Sequence, residues 1–442
     1  MIALNGLAIA WAGGAAEAPA NGSQGLVGVL VLLGMVGLAY MITHYVLEGF
    51  QRRLLVVTGV EYVLLGALLG PAILPDVHVL GDLTALAPIL AFGTGWVGLL
   101  YGMEMDPGAV SSLSGRAARL GFTSSLVTMV GITGVAFLCF SQGWLIDPVS
   151  VEEAWVAAGL LGTAAAAGSS SAVDVLQARY ARAESQLLPL LGRASRLGDF
   201  VAIFGFGLIF CFYHQGTPAI ERPLGPSDWV LITGALGLGL GALFAFFLGR
   251  EEDENERFLA LVGILVFASG AAFFLKVSAL LVNLLLGFWI VRTAAGVGVR
   301  SALERSQGPV RLVLLVFAGA LWSPVAVLPG LTLMLAYMGV RLAMTVLGSA
   351  LATFGTPMRS DLFRGLLAQG DVALAMAIGF RLVYEGPAAE LAYTAVLGAV
   401  VVHELVAPRV LKGLLVDAGE LGGDVEWAEP QAAGQDRVAG AR

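Results

Sequence analysis

Charge is scarce in this sequence. Only 13% of its 442 residues are Asp, Glu, Lys or Arg, about half the share in an ordinary soluble domain. Lysine is nearly missing, with Lys276 and Lys412 alone. The basic side chains are dispersed under a net charge of −8. That excludes the basic stripe on which nucleic-acid binding depends. Cysteine occurs twice, at Cys139 and Cys211, both inside apolar runs. A disulfide framework is thereby excluded, and both read as packing residues. His44, His78, His214 and His403 are too scattered for a metal site. No Ser, His and Asp combination makes a credible hydrolase, and no GxxxxGK[ST] cradle for phosphates is present. Neither an enzyme nor a cofactor is expected.

What the sequence has is apolar surface: 58% of residues are hydrophobic and the mean hydropathy is +0.85. A soluble chain of that composition could not cover itself with polar groups. The expected fold class is an all-α polytopic membrane protein. A spanning helix needs about 20 mainly apolar residues. Such stretches lie at 25–46, 54–74, 83–105, 117–140, 151–177, 187–213, 228–249, 257–275, 277–293, 309–328, 331–352, 362–384 and 390–412, thirteen in all. The alternating ten-residue pattern of an outer-membrane barrel is missing.

Every second loop is basic. Arg52 and Arg53, Arg116 and Arg119, Arg179 to Arg196, Arg250 and Arg257, Arg292 to Arg311, Arg359 and Arg364, and Arg409 with Lys412 follow alternate spans. Positive loops stay inside, so the N-terminus is expected outside and the C-terminus in the cytoplasm. Residues 1–24, without Lys or Arg, read as a short external segment. Residues 25–412 form one transmembrane domain, and the acidic 413–442 reads as a disordered cytoplasmic tail. A bacterial inner membrane is the expected location.

Ionisable groups inside a bilayer are costly and usually functional. Asp199 lies one or two turns into the sixth span, Arg341 in the middle of the eleventh, and Asp371 interrupts the twelfth after Gln369-Gly370. Glu61 sits in the second span, Asp174 near the end of the fifth, and Glu104 ends the third as an interfacial anchor. The centre of the fifth span runs from Gly162 through four alanines to Gly168-Ser169-Ser170-Ser171. Small residues there suit close helix packing. They suit equally a broken helix whose carbonyls and hydroxyls coordinate an ion. Ala368-Gln369-Gly370-Asp371 offers a second interruption. Paired interruptions in corresponding spans are the mark of inverted-repeat transporters, with the site at mid-membrane.

Five segments in order carry a family resemblance: Tyr62 to Pro71 ("GxLLGP"), Leu99 to Met105 ("FxxGLEL"), Ser169 to Ala172 ("SSTA"), Gly365 to Ala373 ("GxxxQGEFA") and Glu404 to Pro408 ("ELxGP"). In these the chain resembles the monovalent cation:proton antiporters, particularly the branch that includes Kef-type potassium/proton antiporters. The resemblance implies a dimerisation domain, a mobile core with two crossed broken helices, and a homodimer. It matches Asp199 to the essential ion-binding aspartate and Arg341 to the basic residue of a neighbouring core helix. One departure is Gly198, where the family commonly has Asp, Asn or Gln before the aspartate.

The expected mechanism follows from one carboxylate. Dehydrated carboxyls hold protons more tightly than hydrated ones, so protons and Na+ or K+ compete for Asp199. Oxygens from Ser169, Ser170 and Ser171 complete the cation's shell, since hard ions take oxygen ligands. Arg341, Gln369 and Asp371 support the broken helices, with an Arg341–Asp371 ion pair one way of doing so. One proton exchanged for one cation moves little net charge, so the roughly 2.3 kcal/mol per charge per 100 mV of membrane potential would not bias turnover. Two alternatives stay open, both motivated by Gly198: a passive channel on the same fold, and a transport-inactive component acting through a partner protein. Membrane lipid is the remaining expected partner, and nucleic acid is not one.

Overall fold

The computed structural model describes residues 59–70, 86–106, 108, 113–180, 185–216, 224–247, 254–293, 296–323 and 327–421. The expected external segment, the first span at 25–46 and the tail past 421 lie outside these residues. The described elements are α1 (Val60–Leu69), α2 (Ala87–Met103), α3 (Gly115–Ser141), α4 (Val151–Ala166), α5 (Ser171–Arg179), α6 (Leu187–Phe212) and α7 (Pro226–Phe247). They continue with α8 (Glu254–Phe274), α9 (Ala279–Ile290), α10 (Gly296–Ala320), α11 (Val327–Thr353), a 3-10 turn (Leu362–Leu366), α12 (Asp371–Arg381) and α13 (Pro387–Asp417). No strand occurs among the described residues.

Seven helical stretches are long and apolar enough to cross a membrane. Their outward faces carry Leu231, Phe246, Phe247, Leu259, Phe267 and Leu335, each more than half exposed. Apolar side chains displayed on that scale need lipid around them. The chain is an integral membrane protein.

Local chemistry sets the helix starts. Ser114, Ser150 and Ser278 each accept a hydrogen bond from the amide three residues on, at 3.2, 3.2 and 3.3 Å, which satisfies donors that the first turn leaves over. Every expected span from the second onward overlaps described helix, although residues 54–58 and 71–74 of the second lie outside the described residues, and the largest boundary differences fall in two helices. The helix read as 309–328 begins at Gly296 and ends at Ala320. Arg300, Ser306, Gln307 and Arg311 make its first half polar, so a hydropathy reading assigns it to a loop. Arg300, Gln307 and Arg311 line a cavity described below. The final helix likewise runs five residues past 412, to Asp417.

The helices pack as two groups. In one, α2 lies along α9, with α7 and α8 beside them and α1 against α10. Glycine makes the approach possible. A Cβ at Gly98 or Gly102 would run into the carbonyls of Leu280 or Leu284, and one at Gly287 into that of Leu99. In the other group α3 packs on α4, α6 and α11, and α13 on α11, α4 and α12. The helices α6 and α12 face the first group and form most of the seam between the two.

Candidate functional site

Both expected interruptions are present, and they meet inside the second group. The first separates α4 from α5 at residues 167–170, and the second separates the 3-10 turn from α12 at residues 367–370. Each break strands carbonyls that water cannot reach, a cost that must be met by protein donors. Arg341, fully buried on α11, meets most of it. Its Nε donates to Ala165 O at 3.0 Å, Nη1 to Leu367 O at 2.7 Å and Nη2 to Ala368 O at 3.2 Å. One guanidinium thus closes the C-terminal ends of both half-helices, where cations are favoured. The planar fork reaches several acceptors at once, as a lysine could not. Gln369 adds bonds from Nε2 to Ala164 O at 2.7 Å and to the Tyr337 hydroxyl at 2.8 Å. The crossing is tight enough that a Cβ at Gly370 would stand 2.6 Å from Ser169 Oγ and 2.9 Å from Glu404 Oε1.

Arg341 is therefore engaged with backbone, and an ion pair with Asp371, one of the ways it could have supported the breaks, does not form. Asp371 is bound instead by Arg311 of α10, Nε to Oδ1 at 2.8 Å. Arg311 falls at the start of the expected span 309–328, and no spacing joins it to a partner 60 residues away.

Asp199 lies near the middle of α6 and is completely buried. Neither carboxylate oxygen has a hydrogen-bond partner, and the same holds for Ser195 Oγ one turn earlier. The amide of Gly168, in the first break, is directed at the Asp199 carboxylate. Gly168 also packs on Ser195, whose Oγ would collide with a Cβ there. Gly198 faces α3: a Cβ at that position would run into Ser125 Oγ and lie 3.4 Å from Ala166 O. The side chain missing at 198 is thus replaced in space by a hydroxyl from a neighbouring helix.

The three serines divide between other partners. Ser169 Oγ donates to Ser171 Oγ at 2.7 Å, and Ser171 Oγ donates to the Glu404 carboxylate at 3.1 Å. Ser170 Oγ donates to Asp174 Oδ2 at 2.9 Å on the exposed side of α5. No hydrogen bond joins these serines to Asp199 among the described residues. Glu61 accepts the Gly59 amide at 3.1 Å at the start of α1, away from the crossing. Asn283 joins α9 to α8 through Ser269 at 3.0 Å, a packing role.

A cavity of ≈330 Å³ leads to this region along the seam between the helix groups. Its walls include Tyr101 and Glu104 of α2, Ser169 to Ser171 and Asp174, Arg196 of α6, Arg300, Gln307 and Arg311 of α10, and Asp371. Asp199 lies one turn beyond Arg196, about 4.5 Å further along the axis of α6. Past Asp199 the helix is sealed by rings. Phe206 and Phe210 meet at a tilt with centroids 4.9 Å apart, Phe210 meets Tyr384 edge-on at 5.1 Å, and Tyr384 stacks on Phe380 at 4.9 Å. Arg196 lines the cavity and Asp199, one turn on, is closed off from it.

Sequence reasoning missed four contributors. Ser195 had a usable signal, because four residues before Asp199 is the same helix face. Ser125, Glu404 as a partner of Ser171, and Arg311 come from distant helices, and spacing carries no trace of them. Both cysteines are free, as expected, with Cys211 buried against Thr233.

No protein-family model matches the chain. No curated protein sequence matches it either. In three dimensions the chain is similar to the sodium proton antiporter MjNhaP1 from Methanocaldococcus jannaschii, solved at pH 8. The TM-score is 0.60 at 16% identity, over 89% of this chain and 99% of that one. At that identity the likeness is one of fold.

Proposed function

We propose that this protein exchanges protons for a monovalent cation, Na+ or K+, by alternating access around Asp199. The observation that carries the reading is the state of that side chain. It is a carboxylate in mid-helix, buried, with neither oxygen in a full hydrogen bond and only the Gly168 backbone amide turned towards it. A buried carboxylate without partners is costly unless it binds a proton or a cation. The oxygen-rich surroundings suit a hard monovalent ion: Ser195 Oγ is also without a partner, and Ser125 and the serines of the first break stand nearby. The cation enters by the seam cavity and is held by Asp199 with hydroxyls drawn from Ser169, Ser170 and Ser171. Gly198 leaves one carboxylate at this step rather than two.

Charge bookkeeping agrees with a one-for-one exchange. Arg311 and Asp371 neutralise each other. Arg341, Asp199 and Glu404, all buried, then carry one positive and two negative charges. One positive charge is lacking, and one proton or one monovalent cation supplies it. The one-sided cavity and aromatic seal fit a single state of an alternating cycle. Movement of the broken-helix group against the other group exchanges which side is open, and the group of continuous helices makes the contact with a second copy of the chain.

The test uses proteoliposomes with an internal pH dye and an imposed proton gradient, pulsed with sodium or potassium. Cation-dependent proton flux in the wild type, lost in Asp199→Asn, is the expected result and identifies the ion. A flux that dissipates the gradient without cation exchange and survives Asp199→Asn would replace this reading with a channel. No flux from folded wild type with either ion would point to the partner-dependent component.

A further inference from the structure

The seam between the helix groups is crossed by two ion pairs, and their polarity is opposed. Arg311, on α10 of the first group, holds Asp371 of α12 at 2.8 Å. Glu104, at the end of α2 in the first group, holds Arg196 of α6 at 3.3 Å. Each group therefore offers one cation and one anion to the other. All four side chains line the same cavity. Each pair is also attached to the machinery it crosses: Asp371 is the first residue after the second break, and Arg196 is one turn from Asp199.

We propose that these two pairs are the gate between the groups. They hold the seam in the register seen here, with the cavity open and the aromatic side sealed, and they must part in every cycle. Opposed polarity makes the register specific, since sliding one group along the other brings like charges together. Ion pairs with this partial exposure, 27% and 22% at Arg311 and Asp371 and 44% and 29% at Arg196 and Glu104, add little to overall stability. Their leverage is on the balance between two packings of the same seam, where a small differential contact shifts populations. The four residues position the groups and do not bind the transported ion. This inference rests on the exchange reading above.

Its test needs no flux, so the two can fail separately. In full-length protein carrying Cys139→Ala and Cys211→Ala, a reporter is introduced by Ala279→Cys, a buried position on the sealed side. Labelling by a membrane-impermeant maleimide then reports opening of that side. Arg311→Gln and Asp371→Asn should each speed labelling about three- to tenfold, the population shift expected when one seam contact is lost. The charge swap Arg311→Asp with Asp371→Arg should return the rate towards the parent, which a merely structural defect would not do. An unchanged rate in Arg311→Gln, or a folded swap no slower than the single variants, overturns the proposal. If those variants do not fold, Glu104→Gln at the more exposed pair should give about a twofold increase, and no increase there also overturns it.

Discussion

The two helix groups are built with the same apolar alphabet and solve the problem of burial differently. In the group of α1, α2 and α7–α10 the helices are continuous, and contacts run backbone to backbone over Gly98, Gly102 and Gly287. Its buried polar contact, Asn283 with Ser269, is a local rivet. In the group of α3–α6 and α11–α13 two spans are broken, and long side chains from elsewhere close the stranded carbonyls. That group also holds most of the buried polar atoms without partners, at Ser195, Asp199, Ser349, Gln369 and His403. The contrast separates scaffold from site. One group spends its sequence on rigidity, whereas the other carries uncompensated polarity of the kind a ligand can relieve.

The contrast can be broken most severely at Arg341. Arg341→Met leaves three carbonyls at the crossing without a donor and should destabilise the protein by about 3–5 kcal/mol, read as thermal unfolding in detergent. Arg341→Lys should recover part of this, since an ammonium keeps the charge but loses the fork. In the continuous group the corresponding lesion is steric. Gly102→Leu should wedge α2 from α9 and cost roughly 2 kcal/mol in the same measurement. Gln369→Ala removes one donor serving two acceptors, and a loss of about 1–2 kcal/mol is expected. The smallest effect on stability belongs to the residue with the largest effect on function. Asp199→Asn removes a buried charge that pairs with no cationic side chain, so the unfolding temperature should hold or rise while exchange disappears.

These predictions also mark what the sequence could convey. Twelve of thirteen spans overlap described helix because about 20 apolar residues in a row have few alternatives. Both breaks were legible too, since Gly168 with three serines and Gln369-Gly370 are poor helix interiors flanked by apolar ones. The first half of α10 was not. Arg300, Gln307 and Arg311 line the seam cavity, and hydropathy cannot distinguish a polar cavity lining from a loop. Pairings were the least legible. Arg311 with Asp371, Ser171 with Glu404 and Ser125 with Gly198 are set by which helices touch, which no spacing within one helix encodes.

The measurement closest to the central claim is calorimetric binding of the cation to purified protein in buffers of different ionisation enthalpy, which counts protons released per cation bound. The account predicts one proton released per sodium or potassium ion in the wild type, and neither binding nor release in Asp199→Asn. Cation binding without proton release, or release unchanged by Asp199→Asn, would contradict competition at a single buried carboxylate.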